Sequence, residues 1–305
     1  MSRDIQVKIL GRMGNAIIQM MVAESLRIDS GLEVNISLAL PSTYFSPPYQ
    51  VNAINEEGYE KVIYIRNVHF FDFNKVINEL KSCDSILIKI EAWVQRIELF
   101  ERHKDFFSNN LVPEISSNTF NFDNNLLVHI RAGDTLGKAG SNRYFPLPIS
   151  YYEAIIEDAK LEPVFIGELD NFYGEILKRK FPSSFFISCE DSIKTWQVIR
   201  NAKNCAISIS TFSWTACFLS KKLEKLYFPV AGLFNCHGKQ NQERIVNLIE
   251  LNNEKINYYY FQDYFLDLSK FEDLSKLLNS GNDVFKKLAH SELEALNKKF
   301  NVDFN

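Results

Sequence analysis

Leu126–Asp134, reading LLVHIRAGD, is the stretch that decides the fold. Its first five residues are aliphatic apart from His129 and lie between Asn124–Asn125 and the turn formers Ala132–Gly133, as in a buried strand of a parallel sheet. Such strands deliver ligand-binding groups at their carboxyl ends, where an open α/β sheet forms a crevice. Strand side chains alternate between faces, so His129 and Arg131 should share one. A permanently charged guanidinium leaving an apolar strand requires an anion. Two partners are open to Arg131 at this point: Asp134, across a tight turn, or a bound ligand.

Outward from this stretch, toward the carboxyl end, strand and helix alternate. A helix (YYEAIIEDAK, opening near Pro148 and Ser150) precedes strand 163–167, helix 171–180, strand 184–188, helix 191–202 and strand 205–210. A short helix after Thr211 and strand 225–229 follow, and the alternation defines a doubly wound α/β domain. Beyond 262 apolar stripes at Phe271, Leu274, Leu277 and Leu278, then at Val284, Phe285, Leu288, Leu296 and Phe300, read as mainly helical. Toward the amino end, 108–125 is polar and turn-rich, the composition of a domain boundary. Before it lie a strand at Ile5–Leu10, the turn GRMGN (11–15) and a helix ending near Gly31. Strands at Val34–Leu40, Ile63–Ile65 and Ile86–Ile90 and helices at 74–82 and 94–107 complete that half. The expected domains are therefore 1–120, 121–262 and a helical extension, 263–305. GRMGN is not GxGxxG, and no acidic residue closes a second strand, so a dinucleotide site is disfavoured. Gly11 and Gly14 still let the backbone turn sharply beside a ligand, or simply serve the turn.

The chain has 305 residues, with 46% hydrophobic and 24% charged residues, enough for two domains with sizeable cores. A net charge of −4 with scattered basic residues argues against a nucleic-acid partner. No run of 18 apolar residues occurs, and MSRDIQVKIL lacks the apolar core of a secretory signal. Five cysteines without a CxxC pair argue against disulfides and structural zinc. The expected location is cytoplasmic. Lysines 286, 287, 298 and 299 beside apolar stripes could add peripheral contact with the inner face of a membrane, although solvated helix faces are commoner.

Three stretches, in order, carry a family resemblance. GRMGNAIIQ (11–19) resembles the GGLGNQMFQ opening of bacterial α-1,2-fucosyltransferases and the GRFGNQ of protein O-fucosyltransferases. VHIRAGD (128–134) resembles their HxRRGD motif, and ISTFSWTACFL (209–219) resembles NSSFSWWGAWL of the α-1,2 enzymes. EAWVQR (91–96) sits where that family has its G-Y-F/W-Q segment. The resemblance implies GT-B architecture: two Rossmann-like domains facing a central cleft, acceptor-side over 1–120 and nucleotide-sugar-binding over 121–262, here followed by C-terminal helices. It also implies an inverting, metal-independent reaction that uses GDP-fucose and no cofactor. The motif's second Arg is Ala132 here, its Asn is Ile209, and its double Trp is Trp214–Thr215.

Glycosyl transfer must neutralise a diphosphate that gains charge as it departs, through a metal held by carboxylates or through fixed protein donors. No DxD occurs in the chain, which favours the metal-free route with Arg131 on the β-phosphate. Ser210 and Thr211, at a helix start, are either hydroxyl and N–H donors to the same anion or a plain cap. With the resemblance, Gly11, Arg12, Gly14, Asn15, Ser210, Thr211, Phe212 and Ser213 become expected donor-binding residues. On residue type alone, Phe212 and Trp214 read as core. Glu168 and Asp170 read either as a helix-start feature or as acceptors for a guanine edge or ribose. The expected catalytic set is Arg131, Asp134 as first choice of base, and His129, which reads more as a core or orienting group. Lys138 and Arg143 share Asp134's loop, and His237 is a lone histidine. Partners expected are a nucleotide sugar and a glycan or lipid-linked glycan acceptor. The alternatives are the same fold with another nucleotide sugar, or a noncatalytic nucleotide- or glycan-binding module.

Overall fold

A computed structural model describes residues 2–301 except 43, 46–48, 53, 112–120, 137–142, 189, 236–245, 252, 263, 265 and 267–270. Lys138 and His237 thus lie outside the described residues. The chain divides into two α/β units, Met1–Ile115 and Ser116–Asn305. The segment expected as a separate extension beyond 262 belongs to the second. No helix among the described residues is long and apolar enough to cross a membrane.

Unit 1 is a five-stranded parallel sheet of β1 (Arg3–Val7), β2 (Asn35–Leu38), β3 (Gln50–Val51), β4 (Lys61–Arg66) and β5 (Ile86–Glu91). Its order is β3-β2-β1-β5-β4, so the winding reverses between β1 and β5. Helices α1 (Met13–Ser30), α2 (Phe73–Ser82) and α3 (Lys104–Asn110) accompany it. Ile5 and Val7 of β1, Ile86, Leu87, Ile88 and Ile90 of β5, and Ile17, Met20, Met21 and Leu26 of α1 are fully buried. The apolar run of β5 is what a central strand covered on both faces needs. α1 stops at Gly31, whose left-handed backbone (φ 66°) turns its N–H onto the Ile28 carbonyl. The helix expected over 94–107 does not form as one piece. Val94 has a left-handed backbone (φ 45°) and Arg96 is extended, so two 3-10 turns (Ile97–Leu99, Glu101–His103) come before α3.

Unit 2 has seven strands: β6 (Asn125–Ile130), β7 (Glu162–Gly167), β8 (Phe185–Ser188), β9 (Asn204–Ala206), β10 (Lys225–Val230), β11 (Ile256–Tyr260) and β12 (Lys286–Leu288). The order is β12-β11-β10-β9-β6-β7-β8, parallel except for β12 against β11. Read from β6, the six parallel strands run 3-2-1-4-5-6, the Rossmann order, with the reversal between β6 and β9. Helices α4 (Ile149–Ala159), α5 (Phe172–Lys180), α6 (Ser192–Asn201) and α7 (Thr211–Phe218) follow β6, β7, β8 and β9, and α8 (Phe271–Asn279) and α9 (His290–Asn301) flank β12. Strand β11 is an addition to the sequence reading. Val284, Phe285 and Leu288, read as part of a helical stripe, instead belong to a 3-10 turn (Asn282–Val284), the residue after it and β12, which pairs along the edge of β11. Lys286 pairs with Glu292 at 3.2 Å and Lys287 with Asp158 at 3.0 Å, so two of the lysines considered for membrane contact hold carboxylates.

Candidate functional site

Ligands of open α/β sheets bind beyond the carboxyl ends of the strands where the order reverses. In unit 2 that point lies between β6 and β9, which pair up to Val128 opposite Ala206. β9 is shorter than the expected 205–210. Only Ile207 continues it, donating to the Tyr227 carbonyl at 3.2 Å, and residues 208–210 leave the sheet to start α7. The separating ends are tied by His129, whose Nδ1 lies 2.8 Å from the Ser208 hydroxyl. His129 is 5% exposed and its ring packs against Phe212 at 5.6 Å. Burial, together with the nearby Arg131 charge, pushes its pKa down to about 3, so the imidazole is neutral. It works as a buried tie and is far too weak a base to take a proton near neutrality.

Arg131 is the first residue past β6. Its Nε and Nη2 donate to the two carboxylate oxygens of Asp134 at 3.3 and 3.0 Å, and its guanidinium lies 4.3 Å from the Tyr144 ring centroid. Of the two partners open in the sequence, the structure thus holds Asp134. The Arg131 side chain is 18% exposed and that of Asp134 40%. The short loop between them is fastened at both ends. Thr135 Oγ1 donates to the Arg131 carbonyl at 3.1 Å, and the Gly133 N–H donates to the Glu168 carboxylate at 2.7 Å. Beneath it Gly167, at the end of β7, has φ 134°, and a Cβ there would lie 2.1 Å from the Ile130 carbonyl oxygen. Only glycine fits, and the Glu168 N–H then reaches that same carbonyl at 3.0 Å. Ala132, at the position of the motif's second Arg, is fully buried.

Glu168 therefore fastens the loop after β6. Asp170 accepts from the Ser188 hydroxyl at 2.8 Å. Neither starts the helix: Asn171 caps α5, accepting from the N–H groups of Tyr173 and Gly174 at 3.0 Å. That corrects the helix-start reading of Glu168 and Asp170. At α7, Ser210 is the N-cap residue with extended backbone (φ −152°, ψ 123°), but its side chain makes no capping bond. The plain side-chain cap is thus not what Ser210 provides. Ser210, Thr211 and Ser213 are buried, and Phe212 is half-buried against His129. Trp214 is core: its indole N–H reaches the Leu248 carbonyl at 2.8 Å and its ring stacks on Phe218.

Unit 1 gathers the remaining expected residues at its own reversal, between β1 and β5. Gly11 has φ 81°, and its Cα faces Asn15 and Trp93 so closely that a Cβ would lie 2.4 Å from the Asn15 amide nitrogen. Asn15 Oδ1 accepts from Gln95 Nε2 at 2.8 Å, joining GRMGN to EAWVQR. Arg12 is exposed at the start of α1 and Gly14 is buried within it. Gln19, fully buried, holds Leu10 from both sides: its oxygen accepts from the Leu10 N–H and its amide donates to the Leu10 carbonyl, each at 3.0 Å. Val94 and Asn67 (φ 45° and 53°), past β5 and β4, have left-handed backbones. A β-branched residue there is strained and held by its surroundings; the Val94 N–H reaches the Val68 carbonyl at 3.2 Å.

The predicted residues thus form two clusters, one per unit. Tyr144, Ser208, Gln19 and Gln95 were not among them. Gln19 was legible as a polar residue inside the apolar run IIQMM, and Ser208 by its alternation with Ile207 and Ile209. Tyr144 carries no local signal. Among the described residues, no three His, Cys, Asp or Glu side chains gather as a metal-holding group.

The class these features define is a pair of doubly wound α/β units, each with a built reversal point. No protein-family profile matches the chain, and no curated protein does. Among solved structures, an arginine-to-lysine mutant of Arabidopsis thaliana FUT1 in complex with GDP is similar, with a TM-score of 0.49 and 11% identity, over 75% of this chain and 70% of that one. A likeness of that size carries no weight for substrate or chemistry.

Proposed function

We propose that the chain is an inverting, metal-independent glycosyltransferase of GT-B architecture. It transfers fucose from GDP-fucose to a hydroxyl of a glycan or lipid-linked glycan acceptor, in bacterial surface-polysaccharide synthesis in the cytoplasm. The observation that carries the reading is the Arg131 fork at the carboxyl end of β6, at the reversal point and next in the sheet to the strand that leads into α7. Two of the three motif resemblances, VHIRAGD and ISTFSWTACFL, fall on these two strand ends, and the third, GRMGNAIIQ, falls on the reversal point of unit 1.

In this reading the acceptor oxygen attacks the anomeric carbon and the bond to the β-phosphate oxygen breaks, its electron pair leaving with GDP. Arg131 and the α7 amino terminus take up the growing charge, as fixed donors do. Asp134 accepts the acceptor's hydroxyl proton. His129, neutral and tied to Ser208, keeps the two strand ends in register. Unit 1 takes the hydroxyl-rich acceptor, and Gly11, Arg12, Gly14 and Asn15, expected on the donor, stand on the acceptor's side in this reading.

The test is a thermal-shift comparison of GDP, UDP, CMP and dTDP, followed by transfer assays with the matching sugar nucleotides. A ligand selective for the folded state raises stability by about 2.7 kcal/mol at a hundredfold excess over its Kd. GDP should raise the Tm most, and excess EDTA should leave transfer unchanged. A larger shift with UDP or CMP removes fucose from the reading. A strict need for added divalent metal removes the metal-free mechanism, and nucleotide binding without any transfer leaves a binding module.

A further inference from the structure

Arg131 is held on three sides in different ways. Its guanidinium face lies on Tyr144 at 4.3 Å, its carbonyl accepts from Thr135, and its outer edge is paired with Asp134. Tyr144 is anchored in turn, because the adjacent Arg143 carbonyl accepts from the Leu233 N–H at 2.8 Å, past the end of β10. On the other flank, Gly133 is fastened to Glu168 at 2.7 Å. The backbone around the fork is therefore fixed, and the most exposed member of the arrangement is the Asp134 side chain, at 40%.

A carboxylate and a phosphate present the same thing to an arginine fork, two oxygens in one plane. An ion pair as exposed as Arg131–Asp134 contributes no more than about 1 kcal/mol. A diphosphate carries more charge and more acceptor oxygens than one carboxylate, so it displaces Asp134 at small cost. A carboxylate with both oxygens engaged by a cation is also a poor proton acceptor, and one released from it is a better one.

We infer that Asp134 stands in for the donor's diphosphate on the Arg131 fork and is exchanged off it when the nucleotide sugar binds. The exchange rests on the proposed function. It supplies an order of events: donor binding releases the carboxylate, and only then is a base available for the acceptor hydroxyl. The Tyr144 face keeps the guanidinium oriented while its edge changes partner.

The exchange is tested by GDP titration of four proteins: wild type, Asp134→Asn, Arg131→Ala and the double variant. Calorimetry serves the tight binders and NMR shift titration the weak ones. Removing the competing carboxylate should tighten GDP binding about threefold to fivefold, the fold-change for the upper range of an exposed ion pair. Transfer should fall in the same variant. In the Arg131→Ala background, Asp134→Asn should bring no gain, which separates competition for the fork from a general loss of negative charge. Asp134→Ser should behave as Asp134→Asn does, excluding a new contact from the amide. If wild type binds GDP and Asp134→Asn binds no tighter, or the gain persists without Arg131, the exchange is overturned and the nucleotide reading stands. If wild type binds none of the nucleotides, the proposed function falls and the exchange with it.

Discussion

At the reversal point of unit 1 the strand ends carry an amide pair, an indole and two left-handed residues; at that of unit 2 they carry a guanidinium, two carboxylates and a buried imidazole. Both follow a strand into a helix whose N-cap residue makes no side-chain capping bond, Arg12 in one and Ser210 in the other. The backbone device is the same and both points carry paired charge: Lys8 and Arg66 flank Glu91 in unit 1, and Arg131 holds Asp134 in unit 2, which adds the buried imidazole. A charged leaving group needs fixed charge beside it, whereas a neutral polyhydroxy ligand is served by amides and aromatic faces. In the proposed reaction the diphosphate falls to unit 2 and the hydroxyl-rich acceptor to unit 1.

The largest effect that sharpens this contrast belongs to unit 2. Arg131→Ala should lower kcat by roughly 10²–10³, the scale of losing one oxyanion donor, with circular dichroism unchanged. Arg131→Lys should restore little, since an ammonium cannot reproduce the planar fork. Turnover like wild type in Arg131→Ala would leave the pair with Asp134 as its whole role and erase the contrast.

The next concerns the buried tie. The unfolded chain takes up a proton at His129 near its ordinary pKa of about 6.5, whereas the folded chain resists until about 3. Stability from this group is therefore full above about pH 6.5 and is lost as pH falls toward 3, at up to about 1.4 kcal/mol per unit. Urea titrations between pH 7 and pH 4 should show that slope in wild type and a shallower one in His129→Gln. Equal slopes would mean that the imidazole is not held neutral between the strand ends.

The smallest effect belongs to unit 1. Gln19→Leu keeps the volume but deprives the Leu10 N–H and carbonyl of their partners, which should cost about 1–3 kcal/mol. A lowered denaturation midpoint with GDP affinity unchanged would fit a unit positioned by its backbone. Lost GDP binding at full stability would put donor contacts in unit 1 and undo the division of labour.

Much of the architecture was legible because the parallel strands are continuous apolar runs between turn formers, as LLVHI and ILIKI show. The exceptions have local causes. β12 is three residues with two lysines, too short for any period, and it exists because β11 offers an edge. The helix expected over 94–107 was blocked by the Val94 backbone, which no propensity of valine foretells. At the site, Arg131, Asp134 and His129 stood out because polar groups at the end of an apolar strand are costly. The fastening of Gly133 by Glu168 and the Tyr144 face were hidden because they join segments 35 and 13 residues apart. Such contacts depend on sheet order, which sequence alone does not display.

Gly167 bears on how this site could be altered. With φ 134° and the Ile130 carbonyl 2.1 Å from any added Cβ, the end of β7 is pressed against β6 and admits no side chain at all. The backbone beneath the Arg131–Asp134 loop is therefore fixed for steric reasons. In the proposed reading, variation that retunes donor preference acts at Ser208–Ser213 or on the Tyr144 face. A library that diversifies those positions and spares 167 should yield folded proteins with shifted nucleotide preference, whereas one that includes 167 should yield mostly misfolded chains.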